Sequence, residues 1–172
     1  MKTSQTVIDA PRGAVPAAIN LATAGYLLHV LISAAVLVLF ILNRGAVAGA
    51  VASMNPGMSP GEIEATVNSI QLLVNGAHVF FGVLSLCFAF LIRTGRNWVR
   101  VASSVVFVLA LLEMLYAWSS PTNVPAILPG PARPYIIAVQ VIMVLILLAC
   151  ALLQWLPPAS RAFFAAEKRR AS

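Results

Sequence analysis

Glu113 stands inside "VLALLEMLYAW" (residues 108–118), a stretch that is otherwise almost wholly apolar. An ionised, unpaired carboxylate at the centre of a membrane helix costs about 3 kcal/mol or more. Glu113 must therefore be neutral, paired or solvated. As a neutral acid it donates a hydrogen bond to an amide or an imidazole. As a carboxylate it pairs with a protonated histidine. Groups of both kinds occur in other apolar stretches. In "QLLVNGAHVFFG" (71–82), Gln71, Asn75 and His78 are spaced by four and then three residues, which places them on one helix face. Gly82 continues that face and leaves room for a neighbouring helix. Tyr26, His29 and Ser33 share a face in the same way. Gln140 and Gln154 stand in the last apolar stretch.

Other chemistry is absent by motif. There is no H-E-x-x-H, G-x-S-x-G, P-loop or aspartate-rich signature. The two cysteines, Cys87 and Cys150, form no C-x-x-C pair, so they read as small buried hydrophobes rather than a redox couple. Haem held by His29 and His78 would need both at one depth, and a rise of ~1.5 Å per residue separates them by ~6 Å. The expectation is a protein that is not an enzyme and carries no metal and no cofactor.

The elements that position these residues are membrane spans. Hydrophobic residues make up 60% of the 172, and charged residues only 9%. Soluble domains average about 25% charged. A spanning helix needs about 20 mainly apolar residues. Four segments qualify, at about 17–43, 70–92, 98–118 and 135–156, within a single transmembrane domain. The fold class expected is all-α, an integral membrane four-helix bundle. Counted from the outer boundary, Asn75, Gln140 and Glu113 fall roughly 7–9 Å inside a ~30 Å hydrocarbon core, with His78 about one turn deeper. Glu113, Asn75, His78 and Gln140 thus form the candidate intramembrane polar site.

Basic residues give a direction, because cytoplasmic loops are enriched in Lys and Arg. Lys2, Arg12, Arg93, Arg96, Arg100, Arg161, Lys168, Arg169 and Arg170 fall on one side, and Arg44 and Arg133 on the other. Both termini and the 93–100 turn are expected in the cytoplasm, in the plasma (inner) membrane of a bacterium. Trp98 and Trp155 then anchor the inner boundary, Trp118 and Tyr135 the outer one. Arg93, Arg96, Arg100, Arg161, Lys168, Arg169 and Arg170 are the expected contacts to anionic lipid head groups. Lipid, rather than nucleic acid, is the partner implied by a net charge of +6 on so apolar a chain.

Connections carry their own signals. In "SPGEIEATV" (59–67), a capping serine, a proline at the first helical position and a glutamate three residues on predict a helix start near 60. It lies inside an outer loop over 44–69. Gly95 suits the left-handed residue that closes a helix, making spans two and three an antiparallel hairpin. The proline-rich 119–134 connector reads as irregular but stiff. The tail over 157–172 pairs Phe163 and Phe164 with basic residues and suits an inner-surface segment.

This layout, with "RTGRNWVR" and "WLPPASRAFF", resembles small four-span membrane proteins of actinobacteria, many of them uncharacterised. The resemblance implies a helical inner-membrane protein and carries no catalytic residues. Two functions are expected from the sequence. The first is a structural or accessory membrane protein acting through protein partners or self-association, with Glu113 as interhelical glue. The second is a small transporter or sensor in which Glu113, with His78 and Asn75, responds to protons or a ligand.

Overall fold

The computed structural model describes residues 15–119 and 133–170. Helix α1 is Ala17–Leu42, α2 Arg44–Met54, α3 Pro60–Leu91, α4 Asn97–Ser119, α5 Arg133–Trp155 and α6 Pro158–Arg170. No strand occurs among the described residues. Four of the helices are long and apolar enough to cross a membrane: Ala17–Leu42, Pro60–Thr94, Asn97–Tyr116 and Pro134–Trp155. This is the organisation of a multi-pass membrane protein. The outward faces agree with it. Leu31, Leu72, Leu73, Phe90 and Leu145 are all exposed. A soluble monomer rarely shows apolar surface on such a scale, whereas lipid solvates it.

The bundle runs up and down, with α1 at its centre against α3 and α5, and α4 against α5. Small and polar side chains set the α1–α3 seam. Ser33 meets Gly82, His29 meets Ser85 and Tyr26 meets Phe88, an antiparallel ladder at helical spacing. Ser85 Oγ and His29 Nδ1 share a hydrogen bond of 3.0 Å. The Tyr26 and Phe88 rings are 5.8 Å apart. On the other side of α1, a Cβ built on Gly25 would lie 2.5 Å from Cys150 Sγ. That glycine is what lets α5 approach, and the Cys150 thiol donates to the Ala22 carbonyl at 3.4 Å. Cys150 is buried and free, whereas Cys87, expected to be buried, is exposed on the outer surface of α3.

Helix α3 has 32 residues. At 1.5 Å each it is ~48 Å long, well beyond a ~30 Å hydrocarbon core. Its first turns are fixed by the capping box: Ser59 N–H donates to Glu62 Oε2 at 2.7 Å, and Glu62 N–H donates to Ser59 Oγ at 3.4 Å. The segment before it is not a loop throughout. Arg44–Met54 is a helix, whose Val47 and Val51 pack against Ile63, Val67 and Ile70 of the overhanging part of α3. Apolar residues four apart on α2 need a partner, and the overhang supplies one.

At the other end, Gly95 takes φ 70° and closes the α3–α4 hairpin through a short 3₁₀ turn. Helix α6 folds back under the bundle. Phe164 is buried in the core cluster, and Ser160 Oγ donates to the Leu153 carbonyl at 2.8 Å. The tail therefore places one of its two phenylalanines inside the protein rather than on a surface of lipid.

Candidate functional site

The bundle is packed in one half and hollow in the other. The core cluster draws on Ile19, Ala22 and Tyr26 of α1, Phe88 and Ala89 of α3, Val99 and Val106 of α4, and Leu147 and Cys150 of α5. Most of these lie toward the end that carries the 92–97 turn, whereas Leu147, and Ala110 of the same cluster, also line the space beyond. In the opposite half, a cavity of about 500 Å³ opens between the four long helices. It is lined from α1 by His29 and Phe40, and from α3 by His78 and Phe81. From α4 come Glu113, Met114 and Tyr116, and from α5 Tyr135, Gln140 and Met143. Asn43 and the start of α2, through Ala46 and Val47, complete the wall.

Three of the four residues of the candidate polar site meet here: Glu113, His78 and Gln140. Asn75 does not line the cavity. It is half-buried on α3, with its Oδ1 buried and unpartnered among the described residues. His29 takes its place. It lines the same cavity as His78. Tyr116 and Tyr135 were not anticipated as lining residues. A signal existed for Tyr116, which is one helical turn from Glu113 and shares its face.

Among the described residues Glu113 has no hydrogen-bond partner. The hydrogen bonds seen between helices are made by other residues. Gln154, fully buried at the packed end, is the chief one. Its Nε2 donates to Tyr26 Oη at 2.8 Å and to the Cys150 carbonyl at 3.0 Å, and its Oε1 accepts from Ser103 Oγ at 3.0 Å. This joins α1, α4 and α5. Gln140 is held at the rim of the cavity, where its Oε1 accepts from Trp118 Nε1 at 3.1 Å. Gln71 points away from the cavity and accepts from Arg44 at 2.9 Å. The same guanidinium donates to Asn68 at 2.7 Å and lies 3.5 Å from Glu64. Arg44 thereby fastens the start of α2 to α3.

The basic end divides into two kinds of arginine. Arg93, Arg96 and Arg161 are exposed, as head-group contacts require. Arg100 is not free in this way. Its guanidinium stacks on Trp155, 3.7 Å from the ring centroid, lies 5.1 Å from that of Phe164, and donates to Asn97 at 2.6 Å. It clamps α4 to α5 and α6 through cation–π contacts. Trp155 donates in turn to Ser104 at 2.9 Å. The side chains of Lys168, Arg169 and Arg170, and the 120–132 connector, lie outside the described residues.

Comparison with protein-family models, curated proteins and solved structures gives no match.

Proposed function

We propose that this is a non-enzymatic membrane protein that binds a small molecule in the hollow half of its bundle, and that it works as a small transporter or sensor with Glu113 as its responsive group. The cavity carries the reading. Its volume of about 500 Å³ falls within the range of ligand sites, and its mostly apolar wall holds a few convergent polar groups. Hydrogen bonds between helices are made at the packed end, along the α1–α3 seam and, at the rim of the cavity, between Trp118 and Gln140. Glu113 is left over from that scheme and lines the space. A desolvated acid with no structural bond is an expense that a ligand can offset.

The charge asymmetry supports a setting for it. In this reading the protein sits in the plasma membrane with the basic end in the cytoplasm, where Arg93, Arg96, Arg161 and the tail residues Lys168, Arg169 and Arg170 meet anionic head groups. The cavity then lies in the outer half of the bilayer.

The test is binding of a neutral, environment-sensitive apolar dye to the purified protein in nanodiscs, with empty discs subtracted. Saturable binding is expected. Ala77→Phe and, separately, Val139→Phe place a ring in the cavity and should each remove it. Saturable binding that both variants leave unchanged, or no saturable binding at all, would overturn the proposal.

A further inference from the structure

We infer that the ligand is an organic monocation, a molecule with an apolar, partly aromatic body and one protonated or quaternary amine centre. This rests on the binding reading above and adds the sign of the charge. Among the described residues that line the cavity, Glu113 is the sole Asp, Glu, Lys or Arg. Arg44, beside Asn43 of the wall, is turned onto Gln71, Asn68 and Glu64 of α3 and is not part of the wall, and the side chain of Arg133 lies outside the described residues. An anion would face the carboxylate with no compensating cation among the described side chains. A neutral ligand leaves Glu113 either as the neutral acid, with no charge to pair, or as a carboxylate at the cost of an unpaired buried charge. A cation removes that cost.

The rest of the wall favours a soft, diffuse cation over a small hard one. Tyr116 and Tyr135 bring aromatic rings to the wall, a residue type that attracts quaternary and protonated amines. Met114 and Met143 add polarisable sulfur. A metal ion is poorly served, because the described residues contain no group of three His, Cys, Asp or Glu able to hold one. One carboxylate in an apolar chamber suits one positive charge on a large apolar body.

Acid acts on this binding in a fixed direction. The titratable groups that line the cavity are His29 from α1, His78 from α3, Glu113 and Tyr116 from α4, and Tyr135 from α5; α2 contributes none. Protonating Glu113 removes the attracting charge, and protonating either histidine adds a repelling one. Both weaken cation binding as pH falls.

Tetraphenylphosphonium and tetraphenylborate test this directly, since they share size and shape and differ in sign. Each is titrated into the protein in zwitterionic nanodiscs, with empty discs subtracted. The phosphonium should bind at least about tenfold more tightly than the borate, a difference of about 1.4 kcal/mol. Glu113→Gln should abolish that preference while the neutral dye still binds, and Glu113→Asp should keep its sign. Acidification that protonates Glu113 should weaken phosphonium binding in the wild type and leave Glu113→Gln less affected. Equal or tighter binding of the borate, or a preference that survives Glu113→Gln, would overturn the inference. If the neutral dye still binds saturably in that case, the cavity remains a ligand site of another class. If no probe binds, both readings fall together.

Discussion

Gln154 uses both amide hydrogens and its carbonyl on partners from three helices, and it is fully buried. Replacing it by leucine leaves the hydroxyls of Tyr26 and Ser103 without this partner. Polar contacts between membrane helices average below 1 kcal/mol, because the unfolded chain in lipid also finds partners. Gln154→Leu should therefore cost about 1 kcal/mol by unfolding in mixed micelles. Gly25 is the more sensitive position. A methyl there meets Cys150 Sγ, so Gly25→Ala should cost about 1–3 kcal/mol through overpacking. Adding Cys150→Ala removes the sulfur, and the double variant should recover most of the loss; a double variant as unstable as the single one would refute the contact. Tyr26 and Gln154 were each visible in the sequence as polar residues in apolar stretches. Their pairing was not, because 128 residues separate them and no local pattern links positions so far apart.

At the scale of elements, the start of α3 was legible and α2 was not. A serine, a proline and a glutamate at fixed offsets satisfy the orphan N–H groups of a helix through their own side chains, so the signal is local. Hydrogen bonds from the Ser59 backbone N–H and then its hydroxyl hold the Glu62 carboxyl below its ordinary value of 4.5. The sign follows. Stability from this box is complete above pH 4.5 and is lost as pH falls through the lowered value. Amide-exchange protection in the first turn of α3 should drop on acidification, and Glu62→Gln should make it insensitive to pH. Asn43 stands at the N-cap of α2, but its side chain makes no cap bond there and its Nδ2 donates back to the Leu39 carbonyl at 2.7 Å. Helix α2 stands because Val47 and Val51 are covered by α3 and because Arg44 reaches Gln71, Asn68 and Glu64. Arg44→Ala should loosen α2 while sparing the bundle. A cysteine at Val51, which is buried, should then react faster with a soluble thiol reagent. An unchanged rate would show that the apolar contact alone holds α2.

For the whole molecule, the division into a packed half and a hollow half governs the rest. Glu113, His29 and His78 belong to the half without a continuous core, and the arginines Arg93, Arg96 and Arg161 to the opposite end. Cysteines at Asn55 and at Arg96 stand at opposite ends of the bundle. An impermeant maleimide should label the first from outside intact cells and the second only after lysis. Labelling in the reverse order would place the cavity on the cytoplasmic side and overturn the proposed orientation, though not the site.

The sequence alone determined that four helices cross the membrane, where α3 begins and where Gly95 turns the hairpin. Each follows from apolar length, a local hydrogen-bond pattern or a single residue's conformational freedom. It also marked Glu113 as the residue to explain, since a carboxylate in an apolar run is conspicuous in any arrangement. Only the tertiary structure decided what surrounds that residue. The packed half is set by the approach of α5 that Gly25 allows and by the partners that the buried Gln154 joins. Those contacts close one half of the bundle around Tyr26 and Phe88, leave the other half open, and point Glu113 into the space rather than at Asn75.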